Sequence, residues 1–408
     1  MTRLRLLYHY LWSAAAAIYY RHPSRRLFVL GITGTKGKTT TLELASALLE
    51  AAGYKTAIAS TLRFKIGNET NPNLLKMTMP GRGRLQHFLY EAARARCDYA
   101  LVEMTSEGAK QLRHRFIELD TLIFTNLSPE HIESHGSYEK YLAAKLEIAH
   151  QLERSTKRDK LIIVNADDKE ANHFLKAQVP KKLSYRARDG APWSVGEESI
   201  HLTFRGLRMS SPLPGRFNLY NLLAAVTFAE SQGVAVETIK QVVESFRGVR
   251  GRLERFEARD FNPRHRHFSV IVDYAHTPDS LKQVYEIFAA REKICLIGST
   301  GGGRDKWKRP VMGRLAAEHC RAVILTNEDP YDEDPEAILR DLARGISQTP
   351  YQIILDRREA IRWAVNEARD NEVIIITGKG TDPYIMGPKG TKTPWDDATV
   401  VREELKNA

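Results

Sequence analysis

A series of short aliphatic runs, each followed by a stretch of helical periodicity, recurs along the 408-residue chain. They include DYALVEM (98–104), DTLIFTN (120–126), KLIIVN (160–165), SVIVD (269–273), ICLIG (294–298), RAVILT (321–326) and EVIIIT (372–377). Strands alternating with helices demand an α/β architecture, because parallel neighbours need a helical crossover and end up buried on both faces. Ligands of such sheets bind beyond the carboxyl ends of the strands. Polar or glycine residues gather at those ends: Glu103, Asn126, Asn165, Asp273, Gly298 and Gly378. The length leaves room for two or three domains. The polar stretch 176–216 reads as a small antiparallel patch or loop region, and RGVRGRLERF (247–256) as a hinge. Domains are therefore expected at 27–250 and 251–408, behind an N-terminal helix within 1–26.

The apolar run Leu27–Ile32 leads into GITGTKGKTTT (31–41) and then into the helix-like TLELASALLE. Gly37, Lys38 and Thr39 resemble the end of a phosphate loop, yet the general template wants a glycine where Ile32 stands. Strand, glycines, Lys-Thr and helix nevertheless follow in the required order. Gly34 and Gly37 would let successive N–H groups face phosphate oxygens, and the helix adds its positive dipole end. Lys38 would then reach the terminal phosphates, and Thr39 or Thr40 would offer a hydroxyl to Mg2+. The bland alternative is a glycine-rich turn with an incidental lysine.

Lysine and arginine exceed aspartate and glutamate by 61 − 50 = 11. A basic balance suits nucleic acid or anionic phosphorylated substrates equally. With no aromatic-interleaved basic repeat and no zinc-finger spacing, nucleic acid is disfavoured. Cys97, Cys295 and Cys320 are odd in number, far apart and without a CxxC pair, which argues against a disulfide scaffold or a zinc site and suits a reducing cytoplasm. LLYHYLWSAAAAIYY (6–20) is too short for a bilayer span and contains His9. A helix docked on the protein is favoured over one lying on a membrane.

Glu103 ends a strand in VEMTSEG, where a carboxylate could ligate Mg2+ bridging nucleotide phosphates. Taken alone it reads equally well as a solvated strand-end glutamate. TNLSPEHIESHGSYEKYLAAKLEIA (125–149) places His131 and His135 on a turn and Lys145 on the next helix. Each of these, singly, is more often structural than catalytic.

In order, GITGTKGKTTT, VEMTSEG, TNLSPEHIESHGSYEKYLAAK, NADD (165–168), GRFNLYNLLAA (215–225), GVRGRLE (248–254), DYAHTPDSL (273–281), GSTGGGRDKWKRPVMG (298–313) and TGKGTDPY (377–384) resemble the Mur ligases, most of all the MurE type. The resemblance implies a P-loop central ATPase domain with a mostly parallel sheet, followed by a C-terminal Rossmann-like α/β domain. The family's phosphate loop is G-T-x-G-K-T, which Gly34, Thr35, Gly37, Lys38 and Thr39 match, so the general template does not apply. The activity implied is ATP-dependent amide ligation. ATP phosphorylates a carboxylate, and an amine attacks the acyl phosphate. Two anions must meet, so cations have to neutralise them and hold both in line.

By position, Lys38 resembles the lysine on the terminal phosphates, while Thr39 and Glu103 match ligands of a first Mg2+. His131 matches a ligand of a second Mg2+, and Lys145 matches the lysine that MurE enzymes carbamylate. Asn218 and Asn221 match an asparagine motif near adenine; Asp273 and His276 match the segment beside ribose and base. Arg252, on the hinge, matches an arginine near the phosphates. For a UDP-MurNAc-dipeptide acceptor, Thr78, Thr105, Gln111 and Arg113 match contacts, whereas Glu107 replaces a histidine of the family.

For the incoming amino acid, the family's D-N-P-R motif is replaced. Asp329 stands for its asparagine and Tyr331 for its arginine, while Arg304, Gly378 and Asp382 keep their places. Losing a bidentate arginine disfavours a distal carboxylate, and Asp329 and Asp382 favour a cationic end. The expectation is a basic amino acid such as L-lysine, ligated to UDP-MurNAc-L-Ala-D-Glu in cytoplasmic peptidoglycan precursor synthesis. The alternatives are a Mur-like ligase with another acceptor, resembling a folylpolyglutamate or poly-amino-acid synthetase, and a non-catalytic nucleotide-binding partner subunit.

Overall fold

The computed structural model describes residues 3–81, 83–130, 132–263 and 266–407. The chain divides into two compact units, Met1–Arg247 and Gly248–Ala408.

In the first unit the strands are β1 (Phe28–Thr33), β2 (Thr56–Ala59), β3 (Arg63–Ile66), β4 (Glu69–Pro72), β5 (Tyr99–Met104), β6 (Thr121–Phe124), β7 (Leu161–Asn165), β8 (Lys181–Tyr185), β9 (Ser194–Val195), β10 (Ile200–Phe204) and β11 (Leu207–Ser211). The helices are α1 (Arg3–Tyr19), α2 (Lys38–Ala51), α3 (Arg84–Arg94), α4 (Ser106–Lys110), α5 (Ile132–His135), α6 (Tyr138–Arg154), α7 (Ala171–Leu175), α8 (Arg216–Ser231) and α9 (Val236–Ser245). The main sheet runs β4-β3-β2-β5-β1-β6-β7-β8, parallel from β2 to β8 with an antiparallel β3–β4 extension.

The unbroken apolar runs are sorted by residue parity, as side chains alternate across a strand. Leu30, Ile32, Ile58, Leu101, Ile123 and Ile163 enter the core shared with α2 and α8. Val29, Ala57, Val102, Leu122, Phe124 and Ile162 enter the core on the opposite face, shared with α3 and α6. Both faces are covered, so β1 and its neighbours are mostly apolar, and a buried polar group such as Glu103 near the end of β5 has to find its partners beyond the sheet. That places the chemistry at the strand ends.

The polar stretch 176–216 proves mixed. Lys181–Tyr185 pairs in parallel with β7 and closes the main sheet, correcting the reading of the whole stretch as an antiparallel patch. Its four exposed residues KKLS are typical of an edge strand, whose polarity hides it from an apolar-run search. Only β9–β11 form the separate antiparallel sheet.

The second unit holds β12 (Glu254–Glu257), β13 (Ser269–Val272), β14 (Lys293–Ile297), β15 (Ala322–Leu325), β16 (Tyr351–Ile353) and β17 (Val373–Ile376), in the order β12-β13-β17-β14-β15-β16. Only β12 is antiparallel to its neighbour. A hairpin of β18 (Tyr384–Met386) and β19 (Lys392–Pro394) follows. Helices α10 (Pro278–Ile287), α11 (Lys308–His319), α12 (Pro335–Ala343), α13 (Arg357–Glu367) and α14 (Asp397–Asn407) complete the unit. Its core gathers Val270, Ile294, Ile324 and Ile374 with Ile361, Ala364, Val401 and Leu405.

Cys295 and Cys320 form a disulfide with Cα atoms 6.1 Å apart, and Cys97 remains a buried free thiol. A single cystine is not a disulfide scaffold, but it was not foreseen from the sequence. The crossover through α11 returns the chain beside β14, where Ile294 pairs with Ala322, so residues 25 apart in sequence become neighbours.

Candidate functional site

In the first unit β1 lies between β5 and β6, all parallel, so residues 34–38, 103–105 and 125–126 emerge at one sheet edge. The loop after β1 is held from below. Thr35 N donates to Asn126 O (2.8 Å), Lys36 N to Asn126 Oδ1 (3.0 Å), and Thr125 Oγ1 to Lys36 O (2.7 Å). Thr35 Oγ1 shares a 2.9 Å hydrogen bond with the Tyr141 hydroxyl and accepts from Ser128 N. Gly34 has φ 146°, and a Cβ there would lie 1.9 Å from Thr125 Oγ1; Gly37 has φ 82°, and a Cβ would lie 2.1 Å from Asn221 Oδ1. Neither position tolerates a side chain, as a loop built to bring backbone against phosphate requires.

Helix α2 starts at Lys38, whose Nζ donates to Gly34 O (2.9 Å) and Thr35 O (3.0 Å). Thr39 and Thr40, in its first turn, are buried. The asparagine motif lies against this loop: Asn221 accepts from Thr41 Oγ1 (3.4 Å) and donates through Nδ2 to Asn218 Oδ1 (2.9 Å), while Asn218 donates to Pro214 O.

Glu103 is fully buried, and its carboxylate accepts from Thr61 N (3.2 Å) and Thr61 Oγ1 (2.9 Å). Thr61 Oγ1 in turn meets Thr78 Oγ1 at 2.9 Å. Thr61 was not singled out in the sequence, because it lies in an unremarkable turn after β2 and only strand order brings it to Glu103.

Lys145, 2% exposed, donates from Nζ to Gly34 O at 2.8 Å and sits 5.1 Å from the Tyr141 ring centroid. Burial first, and the Lys38 ammonium second, hold its amine well below the ordinary lysine range. Burial of this kind raises the share of unprotonated amine, the form that acts as a nucleophile. No group of three or more His, Cys, Asp or Glu side chains among the described residues could hold a metal ion. His131 lies outside the described residues.

Thr105 caps α4 by accepting from Gly108 N (3.1 Å), and its own N–H faces Met79 Sδ at 3.1 Å. Arg113 donates to Gln111 Oε1 (2.5 Å) and to the Met79 carbonyl, so the two residues expected to contact the acceptor form one cluster. Glu107 pairs with His135 at 3.2 Å and accepts from Ser134 Oγ. The His135 contact holds its carboxyl down at about 2. Glu107, which the resemblance sets in place of a histidine, thus gains a histidine partner from α5.

In the second unit, Asp273 accepts from Leu253 N (2.8 Å) and Ala275 N (2.7 Å), fixing the turn that follows β13. His276 Nδ1 lies 2.7 Å from Tyr274 O, and the Arg252 guanidinium stacks 4.4 Å from the Tyr274 ring centroid. These residues occupy the carboxyl edge of the second sheet.

Beyond β15 and β17 lies a second cluster. Lys379 Nζ is buried and donates to Asp329 Oδ1 (2.9 Å), Asp382 Oδ2 (3.1 Å) and Tyr384 O (2.6 Å). The two acids are thus not open to an incoming cation alone, as the sequence suggested; an internal lysine already lies between them. Glu328, also buried, accepts from Thr300 Oγ1 at 2.6 Å, but its Oε2 has no hydrogen-bond partner among the described residues. Burial raises its carboxyl above the ordinary range. A Cβ on Gly378 (φ 104°) would lie 2.5 Å from that oxygen. Tyr331 adopts φ 53° and donates its N–H to Met386 O (3.1 Å), while Arg304 is exposed on the glycine loop.

Family models for the Mur ligase middle domain and for the Mur ligase glutamate ligase domain match residues 32–229 and 251–380. A UDP-N-acetylmuramoyl-L-alanyl-D-glutamate–2,6-diaminopimelate ligase of Syntrophomonas wolfei is 34% identical over 96% of this chain and 81% of its own. A UDP-N-acetylmuramyl-tripeptide synthetase of Roseiflexus sp. is 36% identical, with 96% and 81% covered. A solved structure of a diaminopimelate ligase of the same name as the first superposes with TM-score 0.61 at 30% identity, covering 93% of this chain and 78% of that one. A folylpolyglutamate synthase of Mycobacterium tuberculosis superposes with TM-score 0.72 at 18% identity, a likeness of fold alone.

Proposed function

The chain belongs to the Mur ligase family, and from that premise we propose that it joins a diamino acid, L-lysine fitting best, to UDP-MurNAc-L-Ala-D-Glu through an acyl phosphate. The chain is an ATP-dependent acid–amino-acid ligase of the MurE type. The observation that carries the chemistry is the convergence, at one sheet edge, of the glycine cradle, Lys38, Thr39, Glu103 and the buried Lys145.

Gly34 and Gly37 let the loop turn tightly against Thr125 and Asn221, a conformation in which its N–H groups would face phosphate oxygens, and Lys38 would supply a cation to the terminal phosphates. Magnesium, when bound, supplies further charge neutralisation between phosphates and acceptor carboxylate; Thr39 and Glu103 would hold it. So few protein ligands suit an ion that arrives with its nucleotide and keeps several waters. The unprotonated Lys145 amine can add to CO2, forming an N–C bond and releasing a proton. The resulting carbamate would place an anion beside the metal where a neutral amine stood. The Glu103–Thr61–Thr78 chain links this edge to the expected dipeptide site, where Gln111 and Arg113 would hold the acceptor.

The choice of lysine rests on the tyrosine that stands where the resemblance places an arginine. Tyr331 offers no cation where a distal carboxylate would lie, and Asp329 and Asp382 stand beside that place with Lys379 between them. The relatives named as diaminopimelate ligases define the opposing arm of the test. With ATP and UDP-MurNAc-L-Ala-D-Glu, ADP release and product mass should show kcat/KM for L-lysine at least about tenfold above meso-diaminopimelate, the scale of one unpaired charge. A preference for diaminopimelate would overturn lysine while sparing the ligase. No ADP with any diamino acid would overturn the acceptor.

A further inference from the structure

Helix α1 carries an apolar stripe that no described residue of the first unit covers. Its inner face is seated on the unit: Ala16 and Ala17 are buried, Ser13 Oγ donates to Leu112 O at 3.1 Å, and Tyr10 meets the Phe116 ring edge-on at 5.2 Å. The outer face presents Leu4 (78% exposed), Leu7 (52%), Leu11 (57%), Ile18 (67%) and Tyr19 (78%), with Tyr8 and Trp12 half exposed between them. The spacing 4, 7–8, 11–12, 15, 18–19 is that of one helical face. A soluble surface rarely leaves such a contiguous set of large apolar side chains in water.

The charges around the stripe select its partner. No Asp or Glu precedes Glu43, whereas Arg5, Arg21, Arg25 and Arg26 are exposed on α1 and the turn after it. Arg25 has only a distant ion pair, 3.8 Å from Glu118. A second copy docked through this face would oppose one basic surface to another. An anionic bilayer surface matches both features, the apolar stripe entering the acyl boundary and the arginines meeting phosphate headgroups. Tyr8, Trp12 and Tyr19 suit the interfacial layer, where an amphipathic ring has one wet and one apolar end. No helix among the described residues is long and apolar enough to cross a membrane.

We propose that α1 is a monotopic anchor, bound to the first unit by one face and to an anionic lipid bilayer by the other. The full chain should co-sediment with phosphatidylcholine vesicles containing phosphatidylglycerol, and at least tenfold more weakly with phosphatidylcholine alone. The variant Leu7→Ser/Leu11→Ser keeps every charge and should lose at least tenfold in binding to the anionic vesicles. Equal binding by the variant would overturn the proposal, since net charge alone would then suffice. So would a dimer of the native chain that the variant dissociates, which makes the stripe a subunit interface. Should the variant misfold, brominated lipid decides the matter with the native chain: it should quench fluorescence that Trp12→Phe removes, and absence of quenching rejects the anchor.

Discussion

Lys145 shows how far a single residue's role depends on its surroundings. In the sequence it is one lysine on an amphipathic helix, indistinguishable from Lys140 without the family pattern; in the fold it is buried, against a loop carbonyl and close to a second lysine. Lys145→Ala should lower kcat by about 10²–10³, the usual loss for one electrostatic group in a closed site. Short carboxylates should restore part of it to a variant whose circular dichroism is unchanged. Restoration by amines instead would show that the lysine acts as a cation. His114 makes a different prediction. It is fully buried, neither ring nitrogen has a partner among the described residues, and burial pushes it down to about 4. The unfolded chain, with an ordinary value of 6.5, therefore binds the proton first. Stability is retained above pH 6.5 and lost as pH falls towards 4, by about 3 kcal/mol across that window. Urea midpoints at pH 7 and pH 5 should differ, and His114→Leu should flatten the difference.

At the scale of elements, strand ends were legible in advance because buried parallel strands are mostly apolar up to their carboxyl ends. Glu103, Asn126, Asp273 and Gly378 all stand where a run of aliphatic residues stops. What those ends touch was not legible. The Thr61–Glu103 bond needs the order β2-β5, and the Lys379 bridge to Asp329 needs β15 and β17 on one edge of the second sheet. The cystine is the same kind of case, since Cys295 and Cys320 meet only through the register of β14 and β15. Closing a loop of that size should contribute about 3 kcal/mol in the chain-entropy picture. Thiol titration of the denatured chain should then give one free thiol without reductant and three with it. Cys320→Ser should lower the melting temperature of the unit that contains it. At the phosphate loop, Gly34→Ala forces a Cβ onto Thr125 Oγ1 at a φ that favours glycine alone, and should abolish nucleotide binding in a calorimetric titration.

For the whole molecule, the resemblance to a ligase family implied two α/β bodies, and the cores explain why the chain can be built that way. Every residue of the two clusters around the first sheet precedes 247, and every residue of the cluster in the second sheet follows 253. Neither core draws a buried apolar side chain from the other, so each unit has what it needs to fold by cooperative burial. The second unit has further internal ties: Arg357 and Asp397 form a fully buried ion pair at 2.7 Å, and Arg358 and Arg362 both reach Glu404 on α14. Removing one member of the buried pair leaves the other charged and unpaired, a loss of about 3–5 kcal/mol. Arg357→Met should therefore lower the melting transition of residues 248–408 while leaving that of residues 1–247 in place. Differential scanning calorimetry of the full chain should resolve two transitions, and residues 248–408 expressed alone should reproduce the one that Arg357→Met moves. A single transition displaced as a whole by that substitution would mean that the two cores, separate in composition, are not separate in stability.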